Sequence, residues 1–201
     1  DILVIDDNSP DGTSKELKDL EAKIDNLKVI IREKKSGLDT AHKFAFSYSR
    51  EKNYQKLITL DADLSHDPVE IPKMIDLLDV KPFVIGSRYI AGGNCEMSFP
   101  RLALSVVGNR IIKYILNIKS SEFTTSYRGF NLIMLNNFDL NNVKAKGYKP
   151  ITCAKLQKDG LCPGPCQNIG TGKSPIVFWY KTLGFDYKKE VKKLNFKALK
   201  K

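Results

Sequence analysis

From residue 2 to residue 90 the chain alternates short apolar runs with amphipathic stretches, and each apolar run stops at a cluster of polar turn formers. Ile2-Leu3-Val4-Ile5, Val29-Ile30-Ile31, Leu57-Ile58-Thr59-Leu60 and Phe83-Val84-Ile85 are brief and rich in β-branched residues, as strands buried on both faces are. Between them lie helical stripes. Thr13-x-x-Glu16 has capping-box spacing ahead of Leu17, Leu20 and Ile24, and Ala41, Phe44, Ala45 and Tyr48 recur at i, i+3, i+4 and i+7. Asp67 caps a third helix with Pro68 at its first position and Ile71, Met74, Ile75 and Leu78 as its buried face. Strands separated by helices predict an α/β fold, a mostly parallel sheet covered by helices on both faces. Ligands then belong at the carboxyl ends of strands, where Asp6-Asp7, Asp61/Asp63 and Ser87-Arg88 stand.

A helix from about Pro100 to Ile118 and a strand-like Tyr127 to Met134 extend this unit, so residues 1–150 are expected to form one domain. Residues 151–201 read as an irregular, lysine-rich segment punctuated by Pro163, Pro165 and Pro175. Hydrophobic residues at 42% and charged residues at 28% exclude disordered and disulfide-scaffold classes. The net charge is +10, and from Lys181 to Lys201 eight lysines meet only Asp186 and Glu190. The body is therefore too weakly basic for a dedicated nucleic-acid binder, and no nucleic-acid partner is expected. Cys95, Cys153, Cys162 and Cys166 are unevenly spaced and show no evident fourth zinc ligand, which predicts reduced thiols. No membrane span of about 18 apolar residues and no signal-peptide pattern is seen, so a cytoplasmic location is expected.

Asp61 and Asp63, one residue apart beyond a buried strand, can both approach a hard divalent cation that bridges phosphate oxygens. That is the chemistry a nucleotide-sugar transferase requires, because Mg²⁺ or Mn²⁺ neutralises the departing diphosphate. Taken alone, the pair also fits loop and cap residues before Pro68. His66 and His42 have plainer readings than metal ligation, one beside a cap and one off the apolar stripe of its helix.

Three motifs carry a more specific message. Asp6-Asp7-Asn8-Ser9-Pro10-Asp11-Gly12-Thr13, Asp61-Ala62-Asp63-Leu64-Ser65-His66-Asp67-Pro68 and Gly86-Ser87-Arg88-Tyr89 with Gly92-Gly93 resemble, in order and spacing, the family 2 glycosyltransferases. The similarity is to their polyprenol-phosphate, dolichyl-phosphate mannosyltransferase-like branch and covers about residues 1 to 135. It implies a GT-A (Rossmann-like) fold and transfer of a hexose from GDP-mannose or UDP-glucose to a polyprenyl phosphate, inverting and metal-assisted. By the same resemblance Asp7, beside Asp6, contacts the base of the nucleotide sugar, and Asp61 and Asp63 hold the metal and the diphosphate. Arg88, Arg101 and Ser105 grip the lipid phosphate, while Glu122-x-Thr124-Thr125-Ser126-Tyr127-Arg128 looks like a further motif ending in the arginine of the site. Asp61, Asp63, Arg88 and Arg128 are thus the implied catalytic set.

The sequence departs from that pattern in places. It opens at what would be the family's second strand, implying a sheet without the first, and Asp39 and Ser126 stand where glycine is usual. Gly172-Lys173-Ser174-Pro175 only faintly echoes a later motif. Other readings are transfer to a sugar hydroxyl with Glu122 as base, a receiver domain phosphorylated on Asp61 with Ser87 as switch hydroxyl, or an inactive fragment. Finally, Ile176-Val177-Phe178-Trp179-Tyr180 followed by the lysine tail fits a segment lying on an anionic membrane surface, placing the protein peripherally at the inner face.

Overall fold

A computed structural model describes residues 1–62, 66–87, 89, 99–115, 117, 120, 122, 125–143, 158 and 167–170; for Arg101 and 167–170 it describes the backbone only. The strands are β1 (Ile2–Asp6), β2 (Leu27–Ile31), β3 (Lys56–Thr59), β4 (Phe83–Ser87), β5 (Arg128–Asn131) and β6 (Gln167–Gly170). The helices are α1 (Thr13–Glu21), α2 (Leu38–Glu51), α3 (Ile71–Val80) and α4 (Phe99–Ile115). The α/β class is as expected. β1 and β2 pair in parallel as a two-stranded sheet, whereas a second sheet runs β3-β5-β4-β6. In it β4 and β6 are parallel, and β5 enters antiparallel to both β3 and β4.

Helices cover both faces of the larger sheet. Met74 and Leu78 of α3 pack on Leu60, Val84 and Tyr127, while Phe46 of α2 packs on Phe83, Ile85 and Phe130 across the sheet. The alternation of Val84 with Phe83 and Ile85 is the pleat that makes this possible. Phe130 lies 5.6 Å from Phe46 edge-on and 5.0 Å from Phe83, ring centroid to ring centroid. Under the smaller sheet, Leu17 of α1 joins Ile2, Val4, Leu27 and Val29. α2 serves both sheets, since its Ala41 and Ala45 pack on Ile5. Between β1 and β3 opens a cavity of ≈ 320 Å³, lined among others by Leu3, Tyr48, Leu57, Ile58 and Ile75.

Several local expectations are corrected. The capping box does not form: Gly12, at φ +85°, is the N-cap of α1 and makes no side-chain cap bond, and Thr13 is already helical. Thr13 instead donates its N–H and hydroxyl to Asp11 Oδ1, at 3.3 and 2.7 Å, because the Asp-Gly turn needs the left-handed conformation one residue earlier. α2 is rotated relative to its predicted stripe. Phe46 and His42 are buried whereas Phe44 is exposed and stacks on Tyr48, since the helix must face two sheets and not one. The strand read as Tyr127 to Met134 stops at Asn131, whose Oδ1 accepts from the N–H groups of Ile133 and Met134 and turns the chain. The Asp67 cap is as read: its carboxylate accepts from Val69 N–H at 2.9 Å, opening a 3₁₀ turn at Pro68–Glu70 ahead of α3.

Candidate active site

Because β3 and β4 both run antiparallel to β5, their carboxyl ends emerge at the same edge of the sheet, on either side of the residues that lead into β5. Arg128 pairs with Thr59 on one side and Ile85 on the other. Asp61 and Ser87 lie two residues past those partners, so the segment Thr125-Ser126-Tyr127 threads between the two strand ends. Backbone and side chain fix it there. Thr59 Oγ1 donates to Ser126 O at 2.8 Å, and Gly86 N–H donates to Tyr127 O at 2.9 Å.

His66 is buried in this junction. Its Nδ1 accepts the Asp61 backbone N–H at 2.9 Å, its Nε2 lies 3.1 Å from Thr125 Oγ1, and its ring stacks on Tyr127 at 5.1 Å. Tyr127 donates its hydroxyl to Asp67 O at 2.7 Å, and burial, aided by the charges of Asp67 and Glu70, raises its pKa and keeps the phenol neutral. Burial also raises the Asp67 carboxyl, with the Val69 N–H opposing and Glu70 adding to the rise. Sequence reasoning set His66 aside as a loop residue. Its signal was the chain position between the acidic pair and the helix cap.

The β4 end is tied to α4. Tyr89 N–H donates to Ser87 Oγ at 3.2 Å, and the Tyr89 hydroxyl lies 2.6 Å from Ser105 Oγ. Ser105 is thereby brought to the strand end, and Arg101 stands one helical turn before it in α4. Arg88 and Asp63 lie outside the described residues, as does the Arg101 side chain. Arg128 and Glu122 are fully buried, and Arg128 Nε donates to Thr125 O at 3.0 Å.

The β1 end is built differently. Asp6 is occupied within its own turn, accepting from Ser9 N–H at 3.0 Å, Ser9 Oγ at 2.6 Å and Ser14 Oγ at 2.5 Å. Asp7 pairs with Arg32 Nε at 2.5 Å and accepts from Ser36 N–H at 3.3 Å. Arg32 also donates to Thr40 Oγ1 at 2.8 Å, which anchors the start of α2 to the acidic turn. Arg32 was missed in the sequence, although it follows β2 directly, as the expected ligand-bearing positions do.

Asp61 is half-buried, and its carboxylate makes no hydrogen bond or ion pair to the described residues. An uncommitted oxygen donor there fits a hard divalent cation, whereas Asp6 and Asp7 are already engaged by protein groups. No group of three His, Cys, Asp or Glu side chains able to share an ion occurs among the described residues.

Asp61 at the end of β3 and Ser105 of α4 are thus brought to one end of the sheet, and comparison with known proteins decides the family. The sequence pattern of glycosyl transferase family 2 matches residues 1–138. The chain belongs to that family. It is 36% identical over 150 residues to the polyprenol monophosphomannose synthase of Mycolicibacterium smegmatis, covering 73% of this chain and 57% of that protein. It is 33% identical over 150 residues to the undecaprenyl-phosphate mannosyltransferase of Micrococcus luteus, covering 74% and 61%. To the dolichol-phosphate mannosyltransferase of Saccharomyces cerevisiae it is 29% identical over 186 residues, covering 92% and 67%. The chain thus spans about three-fifths of the length of the two bacterial relatives. Membership in this family sets aside the receiver-domain reading of Asp61 and Ser87. Among the described residues no helix is long and apolar enough to cross a membrane.

Proposed function

We propose that the protein is a glycosyltransferase that moves mannose from GDP-mannose to a polyprenyl phosphate, with inversion, at the joined carboxyl ends of β3 and β4. The observation that carries this reading is the connection of Asp61 to Ser105 across one sheet edge, through Thr125–Tyr127 and the Tyr89–Ser105 contact. The printed names of three relatives, each a mannose transferase acting on a polyprenyl, undecaprenyl or dolichyl phosphate, favour mannose over glucose.

In the reaction an acceptor phosphate oxygen bonds to the anomeric carbon as the bond to the nucleoside diphosphate breaks. A phosphate is anionic at neutral pH and needs no strong base, so positioning and charge neutralisation carry the rate. The full burial of Glu122 supports this choice over a sugar-hydroxyl acceptor, which would require an accessible carboxylate. Asp7, held by Arg32, contacts the base, and Arg88, Arg101 and Ser105 hold the acceptor phosphate, guanidinium forks being suited to it. Asp61 and Asp63 would hold a Mg²⁺ or Mn²⁺ ion, whose chemistry is to offset the charge of the leaving diphosphate. Arg128, fully buried, donates from Nε to the Thr125 carbonyl and so positions the turn between the two strand ends.

The lysine-rich tail brings the protein to an anionic membrane surface. Leu104, Val107, Ile111, Tyr114 and Ile115 of α4 supply an exposed apolar stripe beside the acceptor residues. Cosedimentation should be stronger with anionic than neutral vesicles and weaken at high salt. The transfer itself is tested by following mannose from labelled GDP-mannose into polyprenyl phosphate. Asp63→Ala should abolish metal-dependent transfer, and Arg88→Ala should raise the lipid-phosphate requirement far more than that for the nucleotide sugar. Mannosylation of a free sugar hydroxyl with polyprenyl phosphate ignored would overturn the proposal.

A further inference from the structure

We infer that His66 is a positioning residue that locks the Asp61 strand end and the Thr125–Arg128 turn into one fixed relation; its kinetic consequence rests on the reaction proposed above. The hydrogen bonds determine the tautomer. Nδ1 accepts the Asp61 N–H, so it holds a lone pair, and in the neutral ring the proton sits on Nε2, which donates to Thr125 Oγ1. Thr125 Oγ1 also accepts the Tyr127 N–H at 3.0 Å. Tyr127 stacks on the imidazole and donates to the carbonyl of Asp67, the residue that follows His66. The result is a closed circuit through two segments 59 residues apart.

A helix cap does not require this arrangement. Asp67 already caps the turn before α3 through its own carboxylate, and the half-buried Asp61 could be hydrated at its N–H without an imidazole. What the ring adds is a link of fixed length between the two sides of the site. On one side it sets the peptide from which the Asp61 carboxylate projects. On the other it holds Thr125, whose carbonyl accepts from Arg128 Nε. Movement at either side is therefore transmitted through one buried ring.

The two nitrogens can be deleted separately. In His66→Asn the side-chain oxygen stands near the Nδ1 position and keeps the Asp61 bond while the Thr125 bond is lost. In His66→Gln the amide nitrogen reaches toward Thr125 and the Asp61 bond is lost. His66→Phe keeps the stacking and loses both. The side of the nucleotide sugar is read by Mn²⁺ binding in the presence of GDP, measured by electron paramagnetic resonance, and the acceptor side by the KM for polyprenyl phosphate; thermal melts verify folding. His66→Phe should weaken both about tenfold, His66→Asn chiefly the acceptor side and His66→Gln chiefly Mn²⁺ binding. Thr125→Val, which leaves His66 in place, should reproduce the Asn pattern and supplies the test if the His66 variants fail to fold. Equal losses on both sides in the Asn and Gln variants, or an unchanged acceptor KM in Thr125→Val, would overturn the inference. If the wild-type protein transfers no mannose to polyprenyl phosphate, the proposed reaction fails, and Mn²⁺ binding by the His66→Gln and His66→Asn variants still decides whether the ring positions Asp61.

Discussion

The two sheets solve the same folding problem with unequal means. In the four-stranded sheet β4 and β5 are buried along their whole length, sandwiched between α3 and α2, and aromatic contacts fill the space between. The β1–β2 pair has one small cluster under α1, and β2 alternates buried and exposed residues. Two strands alone are marginal in water. Their stability comes from α1, whose Leu17 packs on both strands, and from α2, which shares Ala41 and Ala45 with β1 and lends Phe46 to the larger sheet. The difference matters for the proposed function because each sheet carries part of the proposed site: Asp7 and Arg32 at the end of the smaller, and Asp61, Ser87 and Thr125–Arg128 at the larger.

The strongest way to break the comparison is through the larger core. Phe130→Ala removes the ring that Phe46 and Phe83 both touch and should cost about 3–5 kcal/mol in urea unfolding. Hydrogen exchange should accelerate in every strand, because losing this core releases α2 and with it the β1–β2 pair. Leu17→Ala is the counterpart in the smaller core and should cost about 2–3 kcal/mol. Its exchange signature should be local, with protection lost in β1 and β2 and retained in β3, β4 and β5. Equal loss across both sheets would mean that they unfold as a single unit and that the contrast is only geometric.

How much of this was readable beforehand follows the same division. The first four strands, the Asp67–Pro68 start of α3 and the strand-end places of Asp6, Asp7 and Asp61 could be read directly, because short apolar runs and turn chemistry leave local marks in sequence, although β2 proves to alternate buried and exposed residues and is not buried on both faces. The rotation of α2 could not. A helix facing two sheets buries residues such as His42 and Phe46 that no single amphipathic stripe selects. The antiparallel entry of β5 and the pairing of β6 with β4 are long-range facts that a run of four residues does not encode. In the proposed site, motif order singled out Asp61 and Ser105, which the structure places at one end of β3 and on α4. It did not reveal that Asp6 is consumed by Ser9 and Ser14 within its own turn, nor that His66 and Arg32 hold the loops, roles that depend on Thr125 and Asp7, distant from them in sequence.

A functional contrast sharpens the picture with a smaller energetic effect. Arg32→Met leaves Asp7 without its ion pair and releases the tether to Thr40. For the reaction proposed above, the KM for GDP-mannose should rise about tenfold, equivalent to about 1.4 kcal/mol, with the polyprenyl phosphate KM nearly unchanged. A parallel rise in both would show that the smaller sheet also positions the acceptor.

The smallest expected effect concerns the edge of β2 that faces away from β1, where no described strand pairs. Val29 turns its N–H and carbonyl away from β1, and α1 satisfies both: Glu21 Oε1 accepts the N–H at 2.8 Å and Lys18 Nζ donates to the carbonyl at 3.0 Å. Glu21 and Lys18 are themselves paired at 2.7 Å, so a three-way clamp closes an edge that would otherwise be open to strand addition. The Lys18 bond, followed by the Val29 N–H, lowers the Glu21 pKa from its ordinary 4.5, with partial burial opposing. A depressed carboxyl pKa contributes stability that is fully present above 4.5 and disappears as pH falls through the lower folded value. Glu21→Gln should therefore cost under about 1 kcal/mol at pH 7, discounted because the clamp is partly solvated, and the gap to wild type should close in acid. Urea unfolding of both proteins at pH 7 and pH 3 measures it. A difference that persists undiminished at pH 3 would assign the effect to the lost hydrogen-bond geometry at Val29 and not to the charge.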